Sequence, residues 1–169
     1  MVHAKHHAFT LIEILIVVVI LSILAAVVIP QFADASSDAT AATLSTSIRS
    51  IKNRVDFERQ NSSTGTYPTT IDPTWFASNL LPTHPENTFG VASIQVFTTS
   101  TISHPVNKVL KAGVAGAYWY NSLTGDVRAR VADQGSSAKT IDFYNRVNFS
   151  NETSLGNYTG GGGSGGGGS

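Results

Sequence analysis

Phe9-Thr10-Leu11-Ile12-Glu13 begins an apolar stretch that continues to Ile29. As an α-helix rising about 1.5 Å per residue, residues 9–29 would extend about 30 Å, which matches the hydrocarbon core of a bilayer. The stretch therefore predicts a helix that spans a membrane. Residues 1–8 form a polar leader that is too short to contain the apolar region of an ordinary secretory signal.

Glu13 is the unusual residue of this stretch, because a carboxylate costs about 2.5–3.5 kcal/mol at the bilayer centre and less near the interface. A simple single-pass anchor is the usual interpretation of an apolar run of this length, but an anchor gives a buried acid no purpose. In a filament, packed helices could pair the acid with a positive charge from another subunit. An unpaired Glu13 would be disfavoured, so we expect it to have a partner.

The start of the chain resembles the type IV prepilins and type II secretion pseudopilins in two segments, Phe9–Ile14 and Ile23–Phe32. The resemblance implies that a prepilin peptidase cuts between Ala8 and Phe9 and that the new Phe9 amine is methylated. It also implies that Glu13 pairs with the terminal amine of a neighbouring subunit. Identical or related pilin subunits and an inner-membrane assembly platform would be further partners. The family usually has glycine where this chain has Ala8.

The flanks of the apolar stretch predict its orientation. Lys5 precedes the stretch, whereas Asp34 and Asp38 follow it. Positive residues tend to remain on the cytoplasmic side, so we expect a cytoplasmic amino terminus. The precursor would then lie in the inner membrane, in contact with lipid, and the rest of the chain would be periplasmic or extracellular after assembly.

Composition and resemblance together divide the chain into five parts. They are a cleaved leader (1–8), a transmembrane and assembly helix (9–30), the amphipathic second half of that helix (31–60), a loop-rich β-sheet part (61–159) and a Gly/Ser linker that looks engineered (160–169). Pro30 predicts a kink that does not end the helix, because proline lacks the amide donor. The second half has one apolar helical face, formed by Leu44, Ile48, Ile51 and Val55.

The carboxyl-terminal part predicts a small sheet that covers this apolar face. Strand patterns occur at residues 94–99, in a hairpin over residues 117–131, and again at residues 141–149, where apolar and polar residues alternate. We therefore predict an α+β, pilin-like fold, in which a long amino-terminal helix packs on a small antiparallel β-sheet.

Several other functions find little support in the sequence. The eleven basic residues are balanced by eleven acidic ones, so the chain lacks the basic surface that nucleic-acid binding requires. His84, Glu86 and His104 have no catalytic spacing, so we do not expect an enzyme. Cysteine is absent, so contacts other than a disulfide must hold the carboxyl-terminal end in place.

Two alternatives stay open at this point. Asp126, Asp133 and Asp142 can supply oxygen ligands to Ca²⁺, which some major pseudopilins bind, but the spacing of a calcium loop is missing, so we predict no metal or cofactor. The second alternative is a minor pilin or a membrane-anchored adhesin. Its binding surface would be the proline-rich loop and the hairpin that contains Trp119.

Overall fold

The computed structural model describes residues 10–113 and 116–156. Its helices and strands are α1 (Leu11–Asn61), β1 (Ile94–Phe97), β2 (Tyr118–Asn121), β3 (Val127–Ala129) and α2 (Ser137–Asn148). The chain divides into two compact units, Met1–Ala39 and Thr40–Ser169. A long apolar helix, a small sheet and a second helix confirm the predicted α+β, pilin-like fold class.

In the first unit, α1 passes through Pro30 without ending. Among the described residues, α1 is the one helix that is long and apolar enough to cross a membrane, judged by length and composition. The kink expected at Pro30 stays a prediction.

In the second unit, the predicted apolar face of α1 is buried. Leu44, Ile51 and Val55 are fully buried and Ile48 is nearly so. They join a core with the inward side chains of the sheet and of α2, including Tyr118, Tyr120, Val127, Ala129, Phe143 and Val147. Burial of each such aliphatic side chain contributes about 1.5–3 kcal/mol. The amphipathic pattern was therefore a correct guide to the packing surface.

The three-stranded sheet has the order β1-β2-β3. The predicted hairpin is confirmed, because β2 and β3 pair antiparallel with Tyr118 opposite Ala129. The expectation of an all-antiparallel sheet is wrong for β1, which runs parallel to β2 with Ile94 opposite Tyr118. Residues 98–117 separate the two strands, and a connection of that length allows a crossover in place of a tight turn.

The strand predicted over residues 141–149 is also wrong, because residues 141–148 belong to α2 and Phe149 is its C-cap. Thr140, Phe143, Tyr144 and Val147 are buried at helical spacing. The Ser136 side chain accepts a hydrogen bond from the Lys139 amide and caps the first turn. The same residues also alternate in polarity, which is why the sequence alone predicts a strand here.

Asn148, near the end of α2, satisfies the outer edge of β3. Its Oδ1 accepts the Ala129 amide at 2.8 Å, and its Nδ2 donates to the Ala129 carbonyl at 2.9 Å. The Asn148 amide thus takes the place of a further strand. A helix side chain closes this edge of the sheet.

Candidate assembly segment

The start of α1 holds the Glu13 carboxylate in a reciprocal set of hydrogen bonds with Thr10. The Thr10 amide and hydroxyl donate to Glu13 Oε2 at 2.8 and 2.9 Å, and the Glu13 amide lies 3.4 Å from Thr10 Oγ1. This arrangement is a capping box, which satisfies amides that the first helical turn leaves without partners. The carboxylate also lies at the positive end of the helix dipole. Its position is therefore fixed by its own chain.

Sequence analysis assigned Thr10 no role. The signal was present, since a threonine followed three residues later by a glutamate, at the start of an apolar run, is the pattern of a capping box.

The large aliphatic side chains of the first unit are exposed along the helix. Their exposed fractions range from 41% at Val28 to 92% at Leu11, and Phe32 is 71% exposed. A continuous apolar surface of this extent is far larger than the patches that soluble monomers present to water. Lipid or other apolar helices must cover it.

Ser22 is the one hydroxyl within the apolar stretch after Glu13. Its Oγ donates to the Val18 carbonyl at 2.6 Å. Inside a bilayer or a packed helix bundle, this bond within the helix would satisfy the hydroxyl without water or a polar neighbour. Ser22 is therefore compatible with a membrane or with a helix-packed filament core.

His84 and Glu86 hold a loop against the end of the sheet. The His84 ring is buried, its Nε2 lies 2.8 Å from the Arg130 carbonyl, and burial lowers its pKa to about 4. Glu86 accepts hydrogen bonds from the Ala132 amide and the Gln134 side chain, and burial raises its pKa. These contacts give both residues a structural role.

The three aspartates considered as calcium ligands each have a local partner. Asp126 accepts the Thr124 hydroxyl at 2.6 Å, Asp133 accepts the Gly135 amide at 2.9 Å, and Asp142 lies 3.5 Å from Arg146. Within residues 10–113 and 116–156, no three His, Cys, Asp or Glu side chains are grouped so that they could hold a metal ion. Calcium binding through these residues stays a hypothesis.

Trp119 is fully buried in the middle of β2, with its ring centroid 6.0 Å from that of Phe97. An adhesive surface would need this side chain at the exterior. Trp119 therefore belongs to the interior of the second unit and cannot contact a binding partner at its surface.

A long apolar helix with a capped acid in its first turn, followed by a small α+β body, is the architecture of a pilin-like membrane precursor. The family model described as "Prokaryotic N-terminal methylation motif" matches residues 3–29. This is the prepilin-type cleavage and methylation segment, and it confirms the resemblance of the amino terminus. No curated protein and no solved structure matches the chain.

The matched segment contains every predicted processing and assembly residue, namely Ala8, Phe9 and Glu13. Of these, Ala8 and Phe9 lie outside the described residues, as does the Gly/Ser linker at residues 160–169. The contacts described for this segment therefore begin at Thr10.

Proposed function

We propose that this chain is a structural subunit of a type IV pilus-like or type II secretion pseudopilus filament. A prepilin peptidase cuts the precursor between Ala8 and Phe9, the new amino group is methylated, and the mature chain polymerises through α1. In this role the chain does its work by assembly and carries out no catalysis of its own.

One observation carries the proposal: the methylation motif at residues 3–29 coincides with the exposed apolar part of α1. The motif ends at Ile29, one residue before Pro30. The capping box by itself would serve any helix that begins here, so it does not distinguish an assembly helix from a plain anchor. What favours the assembly helix is that the residues around Glu13 match a methylation motif.

Glu13 is proposed to pair with the Phe9 amine of a neighbouring subunit. In the isolated chain its carboxylate is exposed and accepts hydrogen bonds through Oε2. A carboxylate can accept about four hydrogen bonds, so Oε1 is available to a cation while Thr10 holds Oε2. The pair would set the axial register of one helix on the next.

Location follows from the same proposal. The precursor lies in the inner membrane with a cytoplasmic amino terminus, and the body is periplasmic or extracellular in the filament. An assembly platform in the inner membrane and the peptidase are the partners required before polymerisation.

Substitution Glu13→Leu tests the proposed pairing. The variant should insert into the membrane at least as well as the wild type, because a charge has been removed from an apolar segment. It should nonetheless be depleted from filaments at least about tenfold, since a buried amine without its partner costs about 3–5 kcal/mol. The measurement is the amount of subunit in sheared filaments relative to the membrane pool.

Thr10→Ser is the matched control, because it keeps the hydroxyl that holds Glu13 and should assemble like the wild type. Normal assembly of Glu13→Leu, expressed as the sole subunit, would show that the acid does not serve polymerisation.

A further inference from the structure

The two edges of the sheet differ in how they are protected. The edge at β3 is closed by the Asn148 side chain, which binds both backbone groups of Ala129. The opposite edge is β1, which lies at the end of the strand order and, among the described strands, pairs with β2 alone. All four residues of β1 are half-buried, so none of them is shut off from solvent.

Hydrogen bonds to β2 show which way the backbone groups of β1 point. The Tyr118 amide donates to the Ser93 carbonyl at 3.0 Å, and the Ser122 amide donates to the Phe97 carbonyl at 2.8 Å. The odd-numbered residues along β1 therefore direct their amides and carbonyls toward β2.

The even-numbered residues of β1, Ile94 and Val96, direct their backbone groups away from the sheet, because successive residues of a strand point these groups to opposite sides. Within residues 10–113 and 116–156, no hydrogen bond to these outward groups is found. The open edge of the sheet therefore consists of two amides and two carbonyls that another strand could bind.

The sequence around β1 lacks most of the usual protection of an exposed edge. Natural edge strands are commonly protected by charged side chains, by proline, by a bulge or by being short. Residues 87–103 contain no charged residue and no proline. Pairing of β1 with β2 runs through four consecutive residues without a bulge. Its short length limits the strength of a contact at this edge but does not prevent one.

A second copy of β1 fits this edge in an antiparallel register. Outward-facing residues must meet as hydrogen-bonded pairs, which places Ile94 opposite Val96 of the second copy and Val96 opposite its Ile94. These pairs satisfy both amides and both carbonyls of each strand, and Gln95 then lies opposite Gln95 of the second copy on a two-fold axis. A shift by one residue would oppose groups that face away. Registers centred on Ile94 or Val96 would pair only one outward residue within the strand.

The side chains of β1 suit the same register. Ile94 and Val96 pack at the border of the apolar core, so the pairing joins their apolar side chains across the two copies. On the other face, Gln95 Oε1 accepts a hydrogen bond from the Arg130 guanidinium. The Gln95 Nε2 group carries two donors and can bond the Oε1 of Gln95 in the second copy. Because β1 carries no charge, the paired strands do not repel each other.

We propose that β1 is an interaction strand through which two copies of this chain pair edge to edge, in an antiparallel register centred on Gln95, to form one continuous sheet. A contact of this kind is smaller than the interfaces of stable complexes, which bury at least about 1,200 Å². It therefore leaves the isolated body monomeric in dilute solution and forms where a membrane confines the copies at high local concentration.

The pairing rests on the membrane location proposed above, but it requires neither cleavage at Phe9 nor a filament. It is therefore measured in the membrane pool of the full chain. Its failure would leave the assembly of filaments untouched, and the absence of filaments would leave the pairing untouched.

Cysteine cross-linking tests the register, because the chain contains no cysteine of its own. In Gln95→Cys the two substituted positions would face each other with their Cα atoms about 4.5 Å apart, which is within the range for a disulfide. Mild oxidation of isolated membranes should give at least about tenfold more disulfide dimer of Gln95→Cys than of Ser93→Cys.

Ser93→Cys is the matched control, because Ser93 is exposed and lies on the same face, two residues before Gln95. In the proposed register the two copies of this position are about 13 Å apart, beyond the limit of about 7 Å for a disulfide. A dimer formed by random collision would appear equally in both variants.

A proline substitution tests the backbone contact. Ile94→Pro removes an outward amide and leaves the bonds to β2 in place, as proline does on the open side of an edge strand. Added to Gln95→Cys, it should reduce the dimer to the level of Ser93→Cys. Each variant should keep the protease resistance of the wild-type body, which shows that it is folded.

The unaltered chain gives a second readout that does not depend on any substitution. In liposomes, hydrogen exchange resolved to single residues should be at least about fivefold slower at the amides of Ile94 and Val96 when the protein is dense than when it is dilute. The Thr101 amide, outside the paired strands, should exchange equally in both.

Four results would each overturn the proposal. They are a Gln95→Cys dimer no more abundant than that of Ser93→Cys, a dimer that survives Ile94→Pro, exchange at Ile94 and Val96 that does not depend on density, and a disulfide of Gln95→Cys with a different protein. The last result would show that the edge binds a strand of another partner and not a second copy.

Discussion

At the residue scale, the polar side chains of this protein act mainly by satisfying backbone groups. Thr10 and Glu13 complete the first turn of α1, Asn148 completes the edge of β3, and Asn145 binds the backbone of Glu152. Arg130 is buried and donates to the carbonyls of Asn107 and Gly116. Arg130 follows β3, and nothing in the local sequence indicates that it anchors the loop before β2.

His84 gives the body a predictable response to acid. Burial lowers its folded pKa to about 4, whereas the unfolded value lies near 6.5. The unfolded chain therefore binds a proton first as pH falls. The contribution of neutral His84 is fully present above about pH 6.5 and is lost progressively toward pH 4, by at most about 3 kcal/mol.

The variant His84→Gln isolates this effect, because the Gln amide can still donate to the Arg130 carbonyl without titrating. The difference in unfolding free energy between wild type and variant, measured by urea titration with tryptophan fluorescence, should shrink or reverse as pH falls through this range. A difference that does not change with pH would show that the pKa of His84 is the same in the folded and the unfolded chain.

At the element scale, the sequence predicted those features of the helices and strands that depend on the local pattern of residues. Residue spacing and turn residues predicted four features: the apolar face of α1, the end of α1 near Asn61, the hairpin and β1. The parallel pairing of β1 with β2 could not be predicted in this way, because the direction of the strand depends on the path of the long loop that connects the two. For α2, residues 140–147 fit two periods at once, and only packing against the core selects the helix.

Asn148→Ala tests the way α2 closes the sheet. The variant leaves the Ala129 amide and carbonyl buried without partners, so the free energy of unfolding should fall by at least about 2 kcal/mol. Asn53→Ala, on the exposed side of α1, is the matched control and should change it by less than about 0.5 kcal/mol. Equal effects of the two substitutions would show that the Asn148 side chain does not stabilise the edge of β3.

At the scale of the whole molecule, the two units use apolar surface differently. The second unit has a buried apolar core of its own, whereas the first unit leaves its large aliphatic side chains exposed along α1. The long apolar helix of the first unit could be predicted from sequence because its hydrophobic length defines it. The body could be predicted only as a fold class, since its loops are held by long-range polar contacts that leave no short motif.

This difference predicts that the body folds without the membrane segment. A fragment beginning at Gln31 should be soluble and monomeric, with mixed helix and strand by circular dichroism, because the core lies within residues 41–155. The fragment should need no metal. A fragment that stays unfolded until calcium is added would instead favour the calcium hypothesis for the aspartates.

The mature amino terminus tests the central claim most directly. Filaments sheared from cells that express the full chain should contain a subunit whose first residue is methylated Phe9 and which lacks residues 1–8. Intact mass together with amino-terminal sequencing measures this in a single preparation. Assembled filaments whose subunits retain residues 1–8 would contradict the account.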